Sequence, residues 1–211
     1  MKLYGLPGAC SLVDHIALNW IGKPFEYISV ARDALKVAPY INISPLGAVP
    51  AIDDDGFTLT QNIAILEYLA EKNPEARLLG GESLKARSEA RRWLGLFNSD
   101  VHKTFSMIFG AARLVTEKPA QDQLAASASA RVRDMYVVAD KHLAGRNWLS
   151  DERSVADAYL YVTTRWAKAK NVDLTGMPNL EAHFERMSAD PAVQAALGAE
   201  GLEVRRVEGS K

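Results

Sequence analysis

The chain has 211 residues, with 25 Lys and Arg against 26 Asp and Glu, a net charge of -1 and no long block of either sign. That balance argues against a nucleic-acid or anionic-membrane binder, and 48% hydrophobic residues are enough to build one large or two small globular domains. A lone cysteine and four scattered histidines speak against a disulfide framework or a zinc site. The absence of a signal-like or membrane-length apolar stretch makes the cytoplasm the expected compartment.

The first eighty residues change period quickly. Lys2 to Leu6 reads as a short strand, followed by a helix from about Leu12 to Ile21, with Ser11 and Asp14 spaced as a capping box and Gly22 as the stop. Phe25 to Val30 alternates as a second strand, and the crossover favours parallel pairing with the first. Ala31 to Ile43 has room for a short helix. Pro45, Gly47 and Pro50 then lead into a hairpin, Ala51 to Asp53 and Phe57 to Thr60, turned at an Asp-Gly step. Asn62 is placed to cap a helix from about Ile63 to Lys72.

The remainder is helical. Ser83 to Val115 and Ala120 to Leu143 read as long helices, and Ser154 with Asp157 forms a capping box for a helix from Val155 to Lys170. Shorter helices are expected at Leu180 to Ala189 and Ala192 to Ala199, then a loose tail from Val204. The fold class is α/β plus all-α, with a domain boundary at Gly80-Gly81 giving units at 1–79 and 83–203.

Cys10, in Leu6-Pro7-Gly8-Ala9-Cys10-Ser11, stands between the first strand and the first helix. A helix start can lower a thiol's pKa, so Cys10 is a candidate nucleophile; the bland alternative is a small buried apolar residue. The element order, with a cysteine at that corner, resembles a thioredoxin-like fold. With Pro7-Gly8-Ala9-Cys10-Ser11, Pro45-x-Gly47-x-Val49-Pro50, His102-Lys103 and Ser154 to Tyr159, the whole chain resembles a cytosolic glutathione S-transferase of the bacterial beta class.

The resemblance implies an N-terminal thioredoxin-like domain with a mixed four-stranded sheet, a C-terminal helical bundle and a homodimer. Glutathione is the implied co-substrate, conjugated to a small apolar electrophile, without metal. Catalysis falls to Cys10, Ser11 and His102. Binding of glutathione falls to Cys10, Lys36, Val49, a cis Pro50, Gln61, Asn62, Ser99, His102 and Lys103. Leu6, Phe105, Ile108, Phe109 and Trp166 would line the second-substrate pocket. Tyr4 lies off the motif position of a catalytic tyrosine and is assigned to the core.

Two features depart from the beta-class pattern. Gln61 and Asn62 stand where an acid and a small Ser or Gly are usual, and Gly95 stands where a side-chain amide is common. Cys10 could form a mixed disulfide with glutathione or stabilise its thiolate by a hydrogen bond. A non-catalytic binding module and a glutathione-dependent dehalogenase remain the alternative functions.

Overall fold

The computed structural model describes residues 1–204. Residues 205–211, most of the expected tail, lie outside the described residues. Strands β1 (Lys2–Gly5), β2 (Glu26–Ser29), β3 (Ala51–Asp54) and β4 (Phe57–Thr60) form one sheet in the order β2-β1-β3-β4. The pair β1/β2 is parallel and the others antiparallel, so the sheet is mixed as expected. Leu3 sits opposite both Tyr27 and Ile52, and the buried Leu3 and Ile52 join the core. Asp54 pairs with Phe57 across Asp55-Gly56, both at positive φ, as the two-residue hairpin requires.

Helices α1 (Ser11–Ile21) and α3 (Asn62–Lys72) pack against one another and the sheet, while the short α2 (Tyr40–Ile43) follows a 3₁₀ turn at Ala34–Lys36. The bundle is α4 (Leu84–Gly95), α5 (His102–Leu114), α6 (Lys118–Leu143), α7 (Val155–Ala169), α8 (Pro178–Ser188) and α9 (Pro191–Ala199). The long helix expected from Ser83 to Val115 is not continuous α-helix. A π-helical stretch, Leu96–Val101, separates α4 from α5, and such wide turns are frequent at functional sites.

The late capping box forms. Asp157, fully buried, accepts the Ser154 N–H and hydroxyl at 2.8 Å, and its other oxygen takes the Leu149 N–H and His183 Nε2 at 3.0 Å. The early one does not. Ser11 Oγ accepts the Leu6 N–H at 3.1 Å and donates to the Leu6 carbonyl at 3.3 Å, so Cys10 takes the N-cap position without a side-chain cap. Nor does Asn62 cap α3; Gln61 is the N-cap, and Asn62 Nδ2 donates instead to the Cys10 carbonyl at 3.0 Å. Tyr4 is half-buried, with its ring 6.0 Å from that of Tyr40, rather than a full core residue.

The last helix belongs spatially to the first layer. Helix α9 packs on α1, Asn19 Nδ2 donates to the Ala192 carbonyl, and Trp20 Nε1 donates to Asp190. Among the described residues no helix is long and apolar enough to cross a membrane.

Candidate active site

The loop from Leu6 to Cys10 is held from three sides. Ser11 pins Leu6. The indole Nε1 of Trp166, on α7, donates to the Gly8 carbonyl at 2.8 Å, and the Gly8 N–H donates to Glu200 Oε2 at 2.8 Å. Gly8 has φ +72°, a left-handed conformation that glycine adopts without cost from a Cβ. The loop therefore delivers Cys10 to a fixed place between the sheet layer and the helices.

There the thiol is not ionised. Cys10 is 8% exposed, and burial, followed by the nearby Asp14, pushes its pKa up to about 12. The Asn62 amide and the backbone N–H groups of Cys10 and Ser11 pull the other way and lose. The helix start does not yield the lowered thiol pKa that the sequence suggests, because desolvation of the charged form outweighs the amide donors. As a neutral thiol, Cys10 Sγ donates to the Val49 carbonyl at 3.4 Å, and the Val49–Pro50 peptide bond is cis.

A cavity of about 390 Å³ opens beside Cys10. Ser44 to Leu46, Ala48 to Pro50, Thr60, Gln61 and Asn62 line one side; Asn98, Ser99, His102, Lys103 and Ser106 line the other. Gln61 has φ +75°, a conformation that costs about 1–3 kcal/mol for a residue with a side chain and that clusters at binding sites. It opens α3, whose first N–H groups lack intrahelical partners and suit a carboxylate. No Asp or Glu lines the cavity. Lys36 is exposed on the 3₁₀ turn and is not among the residues that line this cavity, and buried Ser11 is committed to Leu6, so neither stands at this site.

His102, first residue of α5, lines this cavity together with Cys10. Tyr159 O–H donates to Asn98 Oδ1 at 3.1 Å, which leaves His102 Nδ1–H to donate to the phenol oxygen at 2.8 Å. That tautomer leaves the lone pair on Nε2. Burial, with Lys103 adding to it, holds His102 below the usual imidazole range, so the ring is neutral at pH 7. Asn98 was not singled out by the sequence; it stands four residues before His102 on the same helical run. A Cβ on Gly95 would meet nothing within 4 Å, and Gly95 does not line this cavity, whose side-chain amides are those of Gln61, Asn62 and Asn98.

A second cavity, about 530 Å³, shares Cys10, His102 and Ser106 with the first. Leu6, Phe109 and Trp166, three of the five residues expected around a second cavity, line it. Phe105 does not: it is fully buried, stacked under Phe109 with centroids 5.5 Å apart and edge-on to Trp166. Half-buried Ile108 packs against the core instead. Arg32, Arg113 and Lys170 line the cavity and were missed. The signal was present in the spacing of His102, Ser106, Phe109 and Arg113, which share one face of α5.

The chain thus joins a thioredoxin-like layer to a helical bundle and places a cysteine of the first strand-to-helix corner on a two-part cleft. Models of the glutathione S-transferase N-terminal and C-terminal domains match residues 1–71 and 98–191. Glutathione S-transferase GST-4.5 of Xanthomonas campestris pv. campestris is 46% identical over 203 residues, covering 96% of this chain and all of that protein. Two solved structures, a bacterial beta-class glutathione S-transferase of Sphingomonas chungbukensis and a sphingomonad glutathione S-transferase complexed with glutathione, each superpose with TM-score 0.84 at 37% identity. Each match covers 96% of this chain and all of the other. The chain belongs to the glutathione S-transferase family, and the sequence resemblance to its bacterial beta class holds.

Proposed function

We propose that residues 1–79 hold glutathione in the first cavity and residues 83–203 present a small electrophile from the second. The observation that carries this reading is that Cys10 and His102 line both cavities, so the two substrates meet at these side chains. The glycyl or γ-glutamyl carboxylate of glutathione meets the free N–H groups of α3 or Lys103, and Gln61, Ser99 and Asn98 supply neutral polar partners. Val49 offers its backbone as an extra strand edge to the cysteinyl part.

Chemically, His102 Nε2 accepts the glutathione thiol proton, and the Cys10 thiol gives up its hydrogen bond to the Val49 carbonyl and donates to the resulting thiolate. The thiolate attacks the electrophilic carbon, the carbon–sulfur bond forms and the leaving group departs with its electron pair. The raised pKa of Cys10 favours this donor role over a mixed disulfide. A neutral Gln61 in place of an acid weakens the hold on the ligand's ammonium group. The protein acts in the cytoplasm as a homodimer, for which light scattering is the check.

Titration calorimetry with glutathione, paired with turnover of 1-chloro-2,4-dinitrobenzene, tests the reading. Binding together with turnover is expected. Absence of both would transfer the chain to the non-catalytic binding modules.

A further inference from the structure

The second cavity has both apolar and cationic lining. Leu6, Phe109 and Trp166 supply the apolar part. Arg32 comes from the loop after β2, Arg113 from the last turn of α5 and Lys170 from the residue just past α7, so three separate elements bring a cation to one opening. No Asp or Glu lines it. None of the three cations has a carboxylate partner among the described residues, so no described side chain neutralises the charge that they bring to this opening. Lys170 Nζ stands 5.6 Å from the Phe109 ring centroid. Arg113 lies over Gly110, its Nη2 2.9 Å from where a Cβ on that glycine would stand, so the missing side chain makes room for the guanidinium.

In a chain of net charge -1, such a convergence is local rather than a by-product of overall basicity. Clustered like charges repel, and apolar lining beside them lowers the local dielectric and strengthens that repulsion; an anion seated among them relieves it. Resting on the glutathione-conjugating reading above, we infer that the second substrate is an anionic electrophile, with an apolar, planar body against Phe109 and Trp166 and a carboxylate held by Arg32, Arg113 and Lys170. With an activated aryl halide of this kind, the glutathione sulfur bonds to carbon, halide leaves with the carbon–halogen electron pair, and the thiol proton passes through His102 to solvent.

Calorimetry with three titrants tests it: glutathione, S-(4-carboxy-2-nitrophenyl)glutathione and the methyl ester of that aryl carboxylate. The carboxylate conjugate is expected to bind about tenfold more tightly than its ester, the worth of one charge-assisted contact, and to lose that preference as salt rises. In Arg113→Gln and Lys170→Gln the carboxylate-to-ester ratio falls toward one, while Lys141→Gln, an exposed site on α6 away from both cavities, leaves it as in the wild type. Equal binding of the two conjugates, or a loss in Arg113→Gln that is the same for glutathione alone, overturns the inference and leaves the glutathione reading standing. Failure of glutathione itself to bind overturns both.

Discussion

The Glu200 carboxylate accepts the N–H of Gly8 at 2.8 Å across 192 residues of chain, while its second oxygen lies 2.9 Å from Nδ1 of His15. The carboxylate side chain is fully buried, and it ties the end of α9 to the loop that carries Cys10. Removing it strands a half-buried backbone N–H and a buried imidazole nitrogen. Glu200→Ala is expected to cost about 2–3 kcal/mol in urea unfolding, the usual penalty for orphaned buried partners, and to weaken glutathione binding through a looser loop. An unchanged unfolding midpoint with unchanged affinity would show that the link is dispensable.

Cys10 should behave as a buried neutral thiol. With its pKa raised to about 12, alkylation of the ligand-free protein by iodoacetamide is expected to stay slow, with no inflection between pH 6 and about 9. Cys10→Ser keeps a hydrogen-bond donor and should retain most turnover, whereas Cys10→Ala should lose about tenfold in kcat/KM. A glutathione adduct on Cys10, seen by intact mass after treatment with oxidised glutathione, would contradict the donor role.

The neutral His102 sets the acid limb of activity. Burial, with Lys103 adding to it, lowers its pKa, so kcat/KM should decline only below the ordinary imidazole value of about 6.5. His102→Gln is expected to abolish that limb and lower kcat/KM by about a hundredfold. A limb that persists in the variant would belong to another group.

Asp14 is fully buried, neither of its carboxyl oxygens has a hydrogen-bond partner among the described residues, and burial raises its pKa well above 3.8. The backbone contact at Asp14 opposes that shift and the Glu200 charge adds to it. A pKa raised in the folded state means that the unfolded chain releases this proton first, so stability is full below the unfolded value and is lost as pH rises toward the folded one. Asp14→Asn, which cannot ionise, should flatten that decline and raise the melting temperature at pH 8 relative to the wild type more than it does at pH 4. Parallel pH profiles for the two proteins would refute this account.

Local signals were legible in the sequence, and signals that depend on distant chain were not. Asp55-Gly56 and the Ser154–Asp157 box formed as read, because each is completed within four residues. Ser11 and Asn62 carry equally good capping chemistry, yet the fold supplies them with other partners, Leu6 and the Cys10 carbonyl. Phe105 and Ile108, which the resemblance put at the cleft, pack in the core or against it instead: Phe105 continues the i, i+4 run of buried Trp93, Phe97 and Val101, and a family motif does not report which face of α5 is covered. The Cys10 environment was also hidden: a motif names the thiol but does not report how completely the second layer shuts out water.

Gly110 couples robustness to selectivity. It lies inside α5, where alanine in place of glycine ordinarily strengthens a helix by about 1 kcal/mol. The atom in the way of the new methyl group is the far end of a flexible side chain, Arg113 Nη2. A change selected only for a firmer helix would therefore swing a cation away from the cleft, and descendants of this protein could drift in the compounds they process without altering any residue that touches them.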